Sequence, residues 1–246
     1  MGAAKREMWG SGLPADVADA LEEFTATSIE SFGDALKSIL LFGSAAEGRM
    51  RATSDVNVLM VFSRIDFDCV EEWRSHVAVL AAAIDLKPLV LMEGEIAAAA
   101  EAFAVKYFDI LHRRRVLHGG DPFDSLKIGP EALRRRVSQV LLNLTLRLRQ
   151  SLLLHNDTVR THALADAVGP LRASAAALLE LGNQPAATPK EALLALARQH
   201  GATALIERMQ VLREKGDPVT ADSMRLLGQL VEFVRAIAPP QVGAAA

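Results

Sequence analysis

The segment from Leu41 to Val61, LFGSAAEGRMRATSDVNVLMV, constrains this chain more than any other. An apolar run, Ser38 to Phe42, stops at Gly43-Ser44, and a polar, glycine-containing loop follows. A second apolar run then opens with Asp55-Val56-Asn57. Successive side chains of a strand point to opposite faces, so Asp55 and Asn57 share one face and Val56 and Val58 the other. A glycine at a strand end lets backbone N–H groups approach an anion closely, and the adjoining serine adds a hydroxyl donor. Two polar side chains on the next strand complete a phosphate-plus-metal arrangement.

The surrounding pattern supplies an α/β frame. Val17, Leu21, Phe24 and Ile29 keep a helical spacing up to Gly33, a natural helix stop. Leu36 to Phe42 and Val56 to Phe62 read as strands. A helix follows, capped by Asp66 or Asp68, with Val70, Trp73, Val77 and Leu80 on one stripe. Lys87 to Met92 is a third strand, an Ala-rich helix ends near Phe103, and Val105 to Arg115 reads as helical. Val116 to Gly119 is a last short strand.

Beyond residue 127 the apolar spacing is helical throughout. Leu133, Val137, Val140, Leu141, Leu144, Leu148 and Leu152 form one stripe, Gly169-Pro170 predicts a kink, and Thr188-Pro189-Lys190-Glu191 is a capping box with proline at the first helical position. The predicted fold class is therefore α/β + α: a small mixed-sheet core over residues 1–127 and an all-helical bundle over 128–240.

Composition narrows the function. With 246 residues, a formal net charge of −3 and 5% aromatics, the chain has neither the basic footprint nor the stacking platform of a nucleic-acid binder. Cys69 is the single cysteine, which excludes an intramolecular disulfide and a zinc cluster and predicts a reduced, cytoplasmic setting. No apolar stretch reaches the roughly 18 residues of a membrane span. A second copy of the chain remains an admissible partner.

Gly43, Ser44 and Asp55, with Ser54 just before the aspartate, resemble the signature of the nucleotidyltransferase superfamily, the DNA polymerase beta-like fold. Phe103 to Ile110, Val116 to Pro122 and Leu146 to Gln150 are similar to bacterial nucleotidyltransferase-domain proteins that carry a C-terminal helical domain, as in the aminoglycoside nucleotidyltransferases. The resemblance implies NTP as substrate, Mg²⁺ as cofactor and transfer of NMP to a small molecule or a protein. It implies that Gly43 and Ser44 contact the triphosphate, that Asp55 and Asn57 are the catalytic and metal-binding pair, and that Arg49 and Arg51 reach the phosphates.

Two departures from the family pattern bear on activity. Asn57 stands where catalytic members carry a second aspartate, and it offers a metal only a neutral carbonyl oxygen. The third strand has no acid, although Asp85 and Glu93 flank it. Asp109 could enter from the following helix or lie in solvent. Glu47 occupies a loop position where many relatives have arginine, and the Arg113–Arg115 run reads as a solvated helix end. An aspartate at position 57 would face Asp55 and repel it. The sequence thus leaves two functions open: a nucleotidyltransferase, or a weakened one acting as a nucleotide sensor or protein-interaction module.

Overall fold

A computed structural model of the chain describes residues 11–50, 54–154, 156–215 and 221–239. The chain divides into two compact units, one of residues 1–100 with 107–127, the other of residues 101–106 with 128–246.

The first unit is built on four strands, β1 (Leu36–Phe42), β2 (Val56–Phe62), β3 (Leu86–Met92) and β4 (Arg114–Gly119), in the order β3-β2-β1-β4. β1 is antiparallel to β2 and to β4, whereas β2 and β3 run parallel. That parallel pair is joined by helix α2 (Phe67–Ala83), the crossover such a pair requires. The Asp66 carboxylate accepts the Asp68 N–H at 3.0 Å and caps α2.

Helix α1 (Ala15–Phe32) and α2 pack with one face of the sheet. Ile39, Leu41, Val56, Val58 and Met60 belong to this core with Leu21, Phe24 and Val77. Trp73 stacks at an angle on Phe24 and Phe32 and donates its indole N–H to the Ser28 hydroxyl at 3.0 Å. Leu40, Leu59 and Val61 alternate onto the other face and are also fully buried. β1 and β2 are therefore central strands apolar on both sides. β3 is an edge strand, and Pro88 is tolerated there because an edge has one row of unpaired donors.

Two short helices, α3 (Ile96–Ala102) and α4 (Ala104–His112), lead into β4. The predicted helix to Arg115 is too long: α4 ends at His112 and the strand already begins at Arg114, because pairing with Phe42 and Leu41 of β1 claims Arg114 and Arg115. Gly119 closes β4 at φ +74°, and a Cβ there would lie 1.9 Å from the Lys37 carbonyl oxygen. Only glycine fits this junction.

The second unit contains α5 (Pro130–Leu154), α6 (Asp157–Leu181), α7 (Pro189–Gln199), α8 (Thr203–Lys215) and α9 (Ser223–Ile237), with no strand among the described residues. Pro170 lies inside α6. The Thr188 hydroxyl accepts the Glu191 N–H at 3.2 Å and starts α7. No helix among the described residues is long and apolar enough to cross a membrane.

Candidate functional site

Strand register decides which residues meet. Phe42 at the end of β1 pairs with Asn57 of β2 on one side and with Arg114 of β4 on the other. Asn57 in turn pairs with Lys87 of β3. One end of the sheet therefore gathers the Gly43 loop, Asp55, Asn57, Lys87 and the start of β4. Asn57 lies on the face opposite Val56 and Val58 and is half-buried, and Asp55 is exposed just ahead of β2.

The loop leaving β1 is one irregular helical turn. Glu47 N–H donates to the Gly43 carbonyl at 3.3 Å, Gly48 N–H to Ala45 at 3.1 Å and Arg49 N–H to Ser44 at 3.0 Å. Ala45 and Ala46 are buried in the apolar core and anchor the turn, while Ser44 stays half-buried. The leading N–H groups, those of Ser44, Ala45 and Ala46, find no acceptor inside the turn, as at any helical start. Gly43 adopts φ +75°, and a Cβ there would meet no atom within 4 Å. Its requirement for glycine is thus conformational; the crowding that a cradle suggests is absent in the protein itself.

Arg113 holds both ends of this turn. Its carbonyl accepts the Gly43 N–H at 3.0 Å, and its guanidinium donates to Glu47 at 3.2 Å. The same guanidinium grips both oxygens of Asp109. The three side chains are about 20% exposed. Burial lowers the Arg113 pKa and the two carboxylates raise it, the net effect being a guanidinium held above its usual range. The reading of Arg113–Arg115 as a solvated helix end is therefore overturned: Arg114 pairs with Asp121 at 2.8 Å, and Arg115 donates to the Ser11 carbonyl at 2.6 Å. Asp109 is likewise not left to solvent: it is about 20% exposed and paired with Arg113.

Across the sheet, Lys87 donates to Asp85, which adopts φ +46°. The Asp85 carbonyl accepts the Val56 N–H at 3.1 Å, tying this aspartate to the strand that follows Asp55. The hydrogen bond and charge of Asp85, with a further contribution from Asp55, raise the Lys87 pKa. Arg49 is exposed beside the loop, and Arg51 lies outside the described residues.

No protein-family model matches the chain, and no curated protein matches it. Among solved structures it is similar to spectinomycin adenyltransferase AAD(9) from Enterococcus faecialis, determined with ATP and spectinomycin. The TM-score is 0.60 at 12% identity, over 88% of this chain and 98% of that one. The fold is nucleotidyltransferase-like. A nucleotidyltransferase-like fold thus carries the loop of Gly43 and Ser44, with Asp55 and Asn57, at one end of its sheet.

Among the described residues, no group of three or more His, Cys, Asp or Glu side chains could hold a metal ion. The residues at this end of the sheet do not fit a two-metal centre. Asp55 is a carboxylate and Asn57 an amide, Asp85 is engaged by Lys87, and Lys87 itself is cationic in the position in register with Asn57. Sequence reading missed Lys87 and Arg113. A parallel β2–β3 pair counted from its crossover helix could have placed Lys87, whereas nothing local signals the partners of Arg113. A cavity of about 710 Å³ in the second unit is lined by His200, Leu205, Arg208, Phe233 and their neighbours and contains none of the candidate residues.

Proposed function

We propose that this protein binds a nucleoside triphosphate at the Gly43–Ser44 turn and transfers its nucleoside monophosphate to a hydroxyl of a small-molecule or protein acceptor. The observation that carries the reading is the turn itself: a helical start at Gly43, with the half-buried Ser44 beside it, stands at the same end of the sheet as Asp55 and Asn57. Such a nest of donors suits a polyphosphate. The likeness of fold to an adenyltransferase determined with ATP and spectinomycin supports the same class of chemistry.

In the reaction the acceptor oxygen bonds to the α-phosphorus, the bond to the β-phosphate's bridging oxygen breaks, and pyrophosphate leaves. The acceptor proton passes to a base, for which Asp55 is an exposed carboxylate at this end of the sheet, Asp85 being paired with Lys87. Ser44 and the turn hold the phosphates, and Arg49 and Arg51 are the loop cations proposed to assist. Mg²⁺ entering with the nucleotide would rely on Asp55 and the Asn57 carbonyl, a weak donor set.

A second reading, a nucleotide sensor that has lost transfer, is favoured by the amide at Asn57 and the lysine beside it. Calorimetry with ATP on the wild type and on Gly43→Val tests binding, and equal affinities would place the phosphates elsewhere. Label carried from the ATP α-phosphate onto spectinomycin or onto the protein separates transferase from sensor. Tight ATP binding with no release of pyrophosphate would favour the sensor.

A further inference from the structure

We infer that Lys87 supplies the positive charge that neutralises the polyphosphate at this site, so that the protein binds nucleoside triphosphate with little need of a divalent ion. This rests on the nucleotide reading above and adds what holds the charge. The argument begins with register. β1, β2 and β3 are consecutive in the sheet, so the strand carrying Lys87 lies about 10 Å from the one ending at Gly43, two strand spacings away. Lys87 pairs with Asn57 and Asn57 pairs with Phe42, the residue before Gly43, in one row. Register partners project from the same face, so the ammonium and the amide belong to one surface.

The backbone before Lys87 is fixed. Asp85 holds a left-handed φ of +46° as it closes α2, its N–H donating to the Ala82 carbonyl and its own carbonyl accepting the Val56 N–H. Its carboxylate meets the Lys87 ammonium, yet the pair is more than half exposed. Exposed pairs of this kind contribute little to folding. An ammonium has three donors and no acceptor, so Lys87 can keep Asp85 and still donate to phosphate oxygens. Its four-carbon stem is flexible and more than half exposed, so the ammonium can be redirected to a polyphosphate that extends across this face. A divalent ion placed on the same row would be repelled by that ammonium and would find an amide where it prefers an anionic oxygen.

The test is calorimetric titration of the full chain with ATP, once with Mg²⁺ and once with EDTA, and with tripolyphosphate in EDTA to isolate the charged group. For the wild type, the ATP Kd in EDTA is expected within about threefold of that in Mg²⁺. Lys87→Gln is expected to weaken ATP and tripolyphosphate in EDTA about tenfold, as for loss of one charge-assisted hydrogen bond, and Lys87→Arg to restore most of it. Binding that appears only with Mg²⁺, or an EDTA affinity unmoved by Lys87→Gln, overturns the role of Lys87 and leaves the nucleotide reading standing. ATP binding under neither condition overturns both. Lys87 is exposed, so the variants should fold, and circular dichroism melts confirm that each titration reports on native protein.

Discussion

Two charged groups stand at the same end of the sheet and are built in opposite ways. Arg113, Glu47 and Asp109 form a closed set, each side chain about 20% exposed, with every carboxylate turned onto the guanidinium. Lys87 and Asp85 form an open pair, 57% and 61% exposed. In the closed set each charge is desolvated and depends on its partners, so it serves the fold by holding the Gly43 turn. In the open pair neither charge depends on the other for solvation, so it remains available to a ligand. Proximity to a candidate site is thus a poor guide to role; solvation separates the groups that shape the loop from those that can meet a substrate.

The largest effect should come from the closed set. Arg113→Met strands two carboxylates and is expected to cost about 3–5 kcal/mol in a urea denaturation series, while Lys87→Gln leaves the midpoint nearly unchanged. Similar midpoints for the two variants would break the comparison.

Two glycines extend the contrast to the backbone. Gly119→Ala forces a Cβ against the Lys37 carbonyl and a left-handed φ, which should cost about 3 kcal/mol in thermal or chemical unfolding. Gly43→Ala meets no atom, so only its φ matters, roughly 1–2 kcal/mol. Calorimetry should show ATP affinity reduced per folded molecule by the change at Gly43 and unaltered by the change at Gly119. A uniform loss in both would mean that the Gly43 turn has no special part in binding.

Asn57→Asp probes the open pair. From the sequence, a second aspartate should repel Asp55 and lower the melting temperature. With Lys87 in register beside position 57, the new carboxylate gains a cation instead. The single variant should melt within about 2 °C of wild type without ligand, the scale of an exposed charge pair in a chain of this size. Adding Lys87→Glu removes the cation, and the double variant should melt lower alone yet rise more with Mg²⁺-ATP than wild type does. A thermal-shift series in which single and double variants behave alike would show that Lys87 does not act on position 57.

The smallest effect belongs to the second unit. Asp157 accepts from the Ser223 hydroxyl at 2.6 Å and from Arg160 at 3.0 Å, and these contacts hold its pKa below the ordinary value near 3.8. A depressed carboxylate adds stability above its unfolded pKa and loses it as pH falls through the folded one. Asp157→Asn should therefore lower stability slightly at pH 7, flatten its fall below about pH 4 and converge with the wild type in acid. An unchanged acid limb would assign that fall to other carboxylates.

Periodicity and punctuation, taken along the chain, determined the mixed-sheet core, the helical character after residue 127 and the start of α7 at Thr188. These are local properties: alternation makes a strand, three- and four-residue steps make a helix, and a capping hydroxyl starts one. Gly43, Ser44, Asp55 and Asn57 were legible because they flank consecutive strands, so their meeting needs only a turn. Only the tertiary structure decided what surrounds them. The order β3-β2-β1-β4 put Lys87 beside Asn57, and Arg113 found Glu47 across 66 residues of chain. It also drew Arg114 and Arg115 out of a predicted helix and into β4. Pairing register and desolvation act between segments remote in sequence. The charge on Lys87 could be read from the chain, but its position in register with Asn57 could not.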